Sequence, residues 1–291
     1  RPTFETKYRI LPTVEDFLES KTAPDGSVTV CERPDAAERL AALEKVAKAP
    51  PPTTNTEDLK ALLEIKDLHV HFHSGGGFFG KPREVVKAVD GVSLNIYKGQ
   101  TLGLVGESGC GKTTIGRAIL RLVQPTRGSV IYDGTELTSL ERENLLLYRK
   151  RMQIIFQDSY ASLNPRMTIE QALIEPMTVH GIGVDRKERR ERVVDLLEEA
   201  GMSAVHLRRY PHEFSGGQRQ RLCVARALAV EPEFIVCDEC VSAMDVSVQA
   251  QVLNLLRELQ DRRGLTYLFI SHDLSVVKFV SDEVAVMQAG K

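Results

Sequence analysis

Residues 106–114 read Gly106-Glu-Ser-Gly-Cys-Gly-Lys-Thr-Thr114, which satisfies G-x-x-x-x-G-K-[ST]. The flanks supply the context the motif needs. Thr101–Val105 is a short apolar run with the character of a buried strand, and Thr114–Val123 carries helical periodicity. Strand, glycine loop and helix in that order make a phosphate-binding loop. Gly106, Gly109 and Gly111 let the backbone close on phosphate oxygens. The N–H groups of the loop, Ser108 and Cys110 included, and of the helix start at Thr114 add positive potential. Lys112 has the reach for the β- and γ-phosphates of a bound nucleotide, and the Thr113 hydroxyl can bind Mg²⁺. A glycine-rich turn that binds nothing is the competing reading, and the remainder of the chain decides against it.

Working outward, the chain alternates strand and helix signals. Leu62–Phe72 and Val89–Ile96 read as strands; in the second, Val92, Leu94 and Ile96 alternate with Ser93, Asn95 and Tyr97, which buries one face. Between them Ser74–Gly80 is a flexible loop. Gly128–Gly134 reads as strand and turn, Glu141–Lys150 as a polar helix and Met152–Phe156 as a strand. From about 158 to 228 the signal is mostly helical, with Val193, Leu196, Leu197 and Ala200 on one face and Gly201 as a stop. Phe234–Cys237, a helix carrying Val252, Leu255, Leu256 and Leu259, and Thr266–Ser271 complete the pattern. This alternation implies a parallel sheet with its ligand at the strand C-terminal ends.

Composition sets outer bounds. The 291 residues leave room for one or two domains, and 42% hydrophobic with 27% charged residues is ordinary for a globular protein. The net charge of −2 gives no reason to expect a nucleic-acid partner. No apolar run approaches the ~18 residues that would span a bilayer, and no secretory signal is visible. Five cysteines, Cys31, Cys110, Cys223, Cys237 and Cys240, argue for a reducing compartment rather than a disulfide framework. Cys237-Asp-Glu-Cys240 is formally C-x-x-C, but it lacks a second ligand pair and reads as two small residues packed at a strand end. Residues 1–60 hold proline and charge clusters and read as a solvated linker or as a connector from a preceding domain; Ala36–Lys48 could form a short amphipathic helix. A start at Arg1 and an end at Lys291, just past strand-like Val284–Met287, lead us to expect a fragment of a longer protein, C-terminally truncated.

Five further elements follow the phosphate loop. Gln157 ends the strand Met152–Phe156, and Phe214-Ser-Gly-Gly-Gln218 precedes Phe234-Ile-Val-Cys-Asp238-Glu239, an apolar strand ending in two acids. Ser242-Ala-Met-Asp245 comes next, and His272 follows Thr266–Ile270. Together they resemble the nucleotide-binding subunit of ABC transporters over about residues 62–291. Gln157-Asp-Ser-Tyr-Ala-Ser-Leu-Asn-Pro-Arg-Met-Thr168 and Asp245-Val-Ser-Val-Gln-Ala-Gln251 look like the dipeptide/oligopeptide importer subfamily in particular.

The resemblance implies a P-loop NTPase of α/β class over 61–291: a RecA-type parallel core, an N-terminal antiparallel subdomain that carries the adenine, and an inserted helical subdomain at about 158–228. It assigns Asp238 to Mg²⁺ and Glu239 to the attacking water, a general-base role that typically contributes about 10²–10⁴-fold. His272 would contact the γ-phosphate, and Gln157 would sense Mg²⁺ and the γ-phosphate. Ser215, Gly216, Gly217 and Gln218 open a helix, an anion site by geometry; in the family they complete the site of an opposing subunit, and Asp245 lies on the loop crossing that interface. Phe72 aligns with the aromatic that stacks on adenine, with Phe78 and Phe79 as rivals and a core-facing Phe72 as the alternative. Ser271-His272-Asp273 contains triad residue types, yet neighbours on one strand end cannot converge as a triad.

Two positions depart from the family pattern: Cys240 stands where Pro is usual and Met244 where Leu is usual. Both are apolar enough to pack and neither removes a phosphate ligand. The implied partners are a second ABC ATPase domain, homologous or fused, transmembrane permease subunits and, indirectly, a solute-binding protein, at the cytoplasmic face of the membrane. The implied activity is ATP hydrolysis that powers import of a dipeptide, an oligopeptide or a related small solute such as nickel. The alternative is a soluble ABC ATPase acting on ribosomes or DNA. No segment between 158 and 214 is long or heptad-like enough for the coiled coil of the DNA-repair type.

Overall fold

The computed structural model describes residues 18–22, 28–39, 60–74 and 84–291. No strand is expected before Leu62, yet β1 (Leu18–Thr22) and β2 (Val28–Glu32) pair antiparallel, with Leu18 opposite Glu32 and Thr22 opposite Val28. Residues 36–39 are helical; the rest of the expected Ala36–Lys48 helix lies outside the described residues, as do Phe78 and Phe79.

The long strands β3 (Ala61–Ser74) and β4 (Glu84–Tyr97) form an antiparallel ribbon, both reaching further than their apolar cores predict. After β5 (Thr101–Gly106) and α1 (Lys112–Ile119), β6 (Arg127–Tyr132) joins the free edge of β3 and the short β7 (Thr135–Glu136) follows it. The resulting sheet runs β4-β3-β6-β7. Helix α1 stops at Ile119, short of the expected Val123.

Next come α2 (Arg142–Arg151), β8 (Met152–Ile155), α3 (Ile169–Val179), α4 (Arg186–Glu199) and α5 (Gly216–Leu228). The last three are the inserted helices. Helix α4 ends as expected: Gly201 takes φ 67°, and the N–H groups of Gly201 and Met202 donate to the carbonyls of Glu198 and Leu197. Then β9 (Phe234–Asp238), α6 (Val246–Arg263), β10 (Thr266–Ser271), α7 (Leu274–Val280) and β11 (Glu283–Met287) complete the chain.

The second large sheet is wholly parallel, in the order β11-β5-β10-β9-β8. Its central strands β9 and β10 are buried at every position, as apolar runs covered on both faces require. Strand alternation splits their side chains between two cores. Phe234, Val236, Leu268 and Ile270 pack with Ile115 and Ile119 of α1 and with Leu63, Ile65 and Tyr132 of the antiparallel sheet. Ile235, Cys237, Tyr267 and Phe269 pack on the opposite side with Val252, Leu256 and Val277, in one continuous cluster with Leu173, Leu197 and Leu222 of the inserted helices. Removing the fully buried Phe234 ring by substitution with Ala would cost about 3–5 kcal/mol. The two cores clamp the parallel sheet, so the C-terminal ends of β5, β9 and β10 are rigidly placed side by side.

Candidate active site

Strand β5 carries Gly106 out of the sheet, and the loop to α1 takes a left-handed turn at Gly109 (φ 81°) and again at Gly111 (φ 110°), the N-cap of α1. A Cβ at Gly111 would overlap the carbonyl oxygen of Ala88, so only glycine fits there. Above Gly109 the space is open, with no atom within 4 Å of where a Cβ would stand. Lys112 is buried, and its ammonium donates to the carbonyls of Gly106 and Glu107, both at 2.8 Å. The charge is thus held against the loop by two neutral acceptors.

Thr113 Oγ1 donates to Asp238 Oδ1 at 2.7 Å, which joins the loop to the end of β9. Burial pushes the Asp238 carboxyl above its ordinary value, opposed by the Thr113 hydroxyl and the nearby Arg117 and Lys112 charges. A buried carboxylate with a hydroxyl beside it is a hard oxygen donor set and fits Mg²⁺, which prefers one or two carboxylates and retains water.

Glu239 follows immediately with φ 48°, a left-handed conformation that costs a non-glycine residue roughly 1–2 kcal/mol. Its N–H donates to the Ile270 carbonyl on β10, and its Oε2 lies 3.5 Å from His272 Nδ1. Ser242 Oγ donates to the Glu239 carbonyl at 2.9 Å, and Gln157 Nε2 donates to Ser242 Oγ at 3.3 Å. Gln157, Ser242, Glu239 and His272 therefore form one connected chain at the ends of β8, β9 and β10. Ser242 is the member that sequence reasoning missed. It stood in the quoted Ser242–Asp245 stretch, but a serine hydroxyl carries no spacing signal of its own.

Ser215 is the N-cap of α5. Its hydroxyl accepts from Gln218 N–H, and the Gln218 side chain accepts from Ser215 N–H, a reciprocal capping box. Gly216 faces open space, whereas a Cβ on Gly217 would overlap Val248 of α6. Asp245 caps α6 by accepting from Val248 N–H at 3.0 Å. The two segments are thus locked together through Gly217 and Val248. Among the described residues, no hydrogen bond joins Ser215–Gln218 or Asp245 to the phosphate loop.

Phe72 does not face the core. It is 44% exposed on β3, opposite Val86 of β4, which is 52% exposed. Asp273 spends its carboxylate on capping α7, which agrees with rejection of a Ser-His-Asp triad. Cys240 is buried and Met244 packs against the same core, so both departures from the family pattern are accommodated. The four described cysteines are free and buried; burial lifts the Cys223 thiol to about 12, and a hydrogen bond with Cys240 together with burial lifts Cys237. Such thiols are inert rather than redox-active.

A parallel sheet whose strand ends present a lysine-bearing glycine loop, a threonine–aspartate pair and a glutamate–histidine pair defines a P-loop nucleotide hydrolase. The particular branch follows from comparison. A sequence profile of the ABC transporter family matches residues 89–242. The oligopeptide transport ATP-binding protein OppF of Bacillus subtilis (strain 168) is 56% identical over 231 residues, 79% of this chain and 73% of that protein. The dipeptide transport ATP-binding protein DppF of Lactococcus lactis subsp. cremoris is 50% identical over 234 residues, 80% of this chain and 73% of that one. Among solved structures, the dimeric MJ0796 bacterial ABC transporter cassette superposes with a TM-score of 0.70 at 28% identity, over 78% of this chain and 95% of that one. Its post-hydrolysis state, bound to ADP and Pi, gives 0.69. The chain belongs to the ABC transporter family and is an ATPase of it. The comparisons offer no support for a soluble ATPase acting on ribosomes or DNA. Among the described residues, no helix is long and apolar enough to cross a membrane.

Proposed function

We propose that this chain hydrolyses ATP to drive a peptide importer, with the site residues in the following roles. Lys112 exchanges its two carbonyl partners for β- and γ-phosphate oxygens, and the N–H groups of Gly109–Thr114 cradle the β-phosphate. Thr113 and Asp238 would hold Mg²⁺, which would supply positive charge to offset that of the phosphates. Glu239 orients the attacking water and takes its proton. His272, 3.5 Å from that carboxylate, positions it and contacts the γ-phosphate. Gln157 reports the state of the site to the inserted helices through Ser242. The observation that carries the reading is the convergence of Thr113–Asp238 with the chain from Gln157 to His272 at adjoining strand ends.

The open face at Gly216 and the N–H groups at the start of α5 suit a phosphate presented by a second ATPase domain. Two such domains, head to tail, would enclose two nucleotides. Phe72 offers its exposed ring to the adenine. A groove of about 680 Å³ beside α3, lined by Met167, Ile174, Val179 and Arg166, suits a helix of a permease subunit and would bring the ATPase to the membrane face.

Peptides are the proposed solute because the OppF and DppF relatives carry peptide-transport names at 50–56% identity. Reconstitution with the permease and binding subunits tests this. The expected result is ATP-dependent uptake of labelled di- or oligopeptide that Lys112→Ala abolishes. ATP turnover by the assembled complex without uptake of any peptide would overturn the peptide reading while leaving the ATPase intact.

A further inference from the structure

On the β3–β4 ribbon two histidines and two carboxylates gather. His69 Nδ1 stands 3.1 Å from Asp90 Oδ1, and His71 Nε2 stands 3.6 Å from the same oxygen. The other nitrogen of His69, Nε2, lies 3.0 Å from Asp67 Oδ1. The two rings meet edge to face with centroids 5.7 Å apart. The candidate donor atoms of His69, His71 and Asp90 all lie within 4.8 Å of one another.

Strand geometry explains the gathering. Residues 69 and 71 share one face of β3 by the two-residue period, and Asp90 sits opposite His69 in the register. The pairing shifts register between Ile65 and Leu68, where Asp67 takes φ 47°, and this irregularity brings Asp67 alongside the His69 ring. Lys87 lies 3.6 Å from Asp90 Oδ2 and Arg127 3.0 Å from Asp67 Oδ2. Each base therefore occupies the outer oxygen and leaves the inner one, Oδ1, to the imidazoles.

A hydrogen-bonded network alone does not account for His71. Its Nε2 is buried and has no hydrogen-bond partner, and 3.6 Å to Asp90 is beyond hydrogen-bond range. A buried ring nitrogen without a partner calls for an explanation. The spacing offers one. Nitrogen and oxygen ligands about 2.0–2.2 Å from a tetrahedral Zn²⁺ lie about 3.3–3.5 Å apart, and the two distances to Asp90 Oδ1 bracket that value. Asp67 completes the pattern, since a metal-bound imidazole usually gives its other N–H to a carboxylate. The side chains of His69, His71 and Asp90 are recessed but reachable, at 16%, 20% and 23% exposure.

We propose that His69, His71 and Asp90 bind a divalent transition-metal ion of the zinc type, with Asp67 as the positioning residue for His69. The cluster adjoins the phosphate loop, since the Asp90 N–H donates to the Gly290 carbonyl and the Gly290 N–H to that of Cys110, but it shares no ligand with the Mg²⁺ residues and its chemistry differs: imidazole favours Zn²⁺ or Co²⁺, where the oxygen set at Asp238 favours Mg²⁺.

The test uses the full chain, reduced, stripped with a chelator and free of nucleotide. Zn²⁺ is titrated in competition with a chromophoric chelator, and Co²⁺ is followed by its visible d–d absorption. One tight equivalent is expected, without the intense sulfur-to-metal charge-transfer band that cysteine ligation would give. The double variant His69→Gln with His71→Gln should lose that equivalent while keeping the native far-UV circular dichroism spectrum, and Asp67→Asn should weaken binding about 10–100-fold at unchanged stoichiometry. Should the double variant fail to fold, Co²⁺ added to the native chain must broaden the His69 and His71 ring-proton resonances selectively. No bound equivalent, binding unchanged in a folded double variant, or broadening centred on other histidines would each overturn the site.

Discussion

Thr113 and Asp238 lie 125 residues apart in the chain and 2.7 Å apart in the fold, hydroxyl donating to carboxylate. That bond makes one site out of two motifs. It needs β5 and β9 on either side of β10 in a parallel sheet, so that the loop after one strand meets the last residue of another. The buried, hydrogen-bonded carboxylate is then fixed where a cation beside phosphate would need it.

Glu239→Gln keeps the shape and hydrogen-bonding reach of the side chain but removes the base. Turnover should fall by about 10²–10⁴-fold, with ATP affinity retained and an ATP-held dimer favoured. Steady-state hydrolysis, nucleotide titration and size-exclusion with ATP check the three parts. Turnover at the native rate would remove Glu239 from the proposed role.

Asp238 makes stability depend on pH in a definite direction. Burial raises its carboxyl in the folded state, so the folded chain holds that proton more tightly than the unfolded chain does. Its contribution to folding is therefore best at low pH and is lost as pH rises from the ordinary carboxylate value through the raised one. At neutral pH, without nucleotide, Asp238→Asn should melt higher than the native chain while still accepting the Thr113 hydrogen bond. The difference should vanish in acid, and the gain on adding Mg-ATP should shrink. A lower melting temperature for the variant at neutral pH would contradict this account.

Gly217→Ala places a methyl group against Val248. Displacing α5 relative to α6 should cost about 1–3 kcal/mol as overpacking and should impair hydrolysis, because Ser215 and Gly216 move with the helix start. ATP affinity of the isolated chain should change little. Adding Val248→Ala makes room and should restore much of the hydrolysis. If the double variant is no better than the single one, the Gly217–Val248 contact does not set the position of α5.

Phe72→Ala removes the exposed ring proposed to stack on adenine. Base–aromatic stacking is worth about 1–3 kcal/mol, so ATP should bind roughly 5–150-fold more weakly, with turnover at saturation preserved. Fluorescent-nucleotide titration reads this directly. Unchanged affinity would pass the role to another aromatic residue.

Much of the fold was legible because its signals are local. The strand at Phe234 declared itself by an unbroken apolar run, and the helix at Val246 by Val252, Leu255, Leu256 and Leu259 on one face, all of them buried. The hairpin of β1 and β2 gave no such signal. Its ten strand residues mix charged and polar groups with a few apolar ones and lack the unbroken apolar run that marks Phe234. Helix α1 ended early because Leu120 leaves the helical region and Arg121 takes φ 53°, a backbone event that apolar spacing does not register. Phe72 could not be placed from sequence, since an aromatic residue on a strand suits either face until register is known.

The residue types at the site, their order, and the strand–loop–helix frame around Lys112 were set by sequence alone, because glycine content, hydrophobic period and capping residues act over a few neighbouring positions. Tertiary structure alone decided that Thr113 meets Asp238, that Ser242 links Gln157 to Glu239, that Gly217 abuts Val248, and that His69 and His71 converge on Asp90. Each of these contacts depends on how strands and helices distant in the chain register against one another, and burial in the two cores settles that register only once the whole chain has packed.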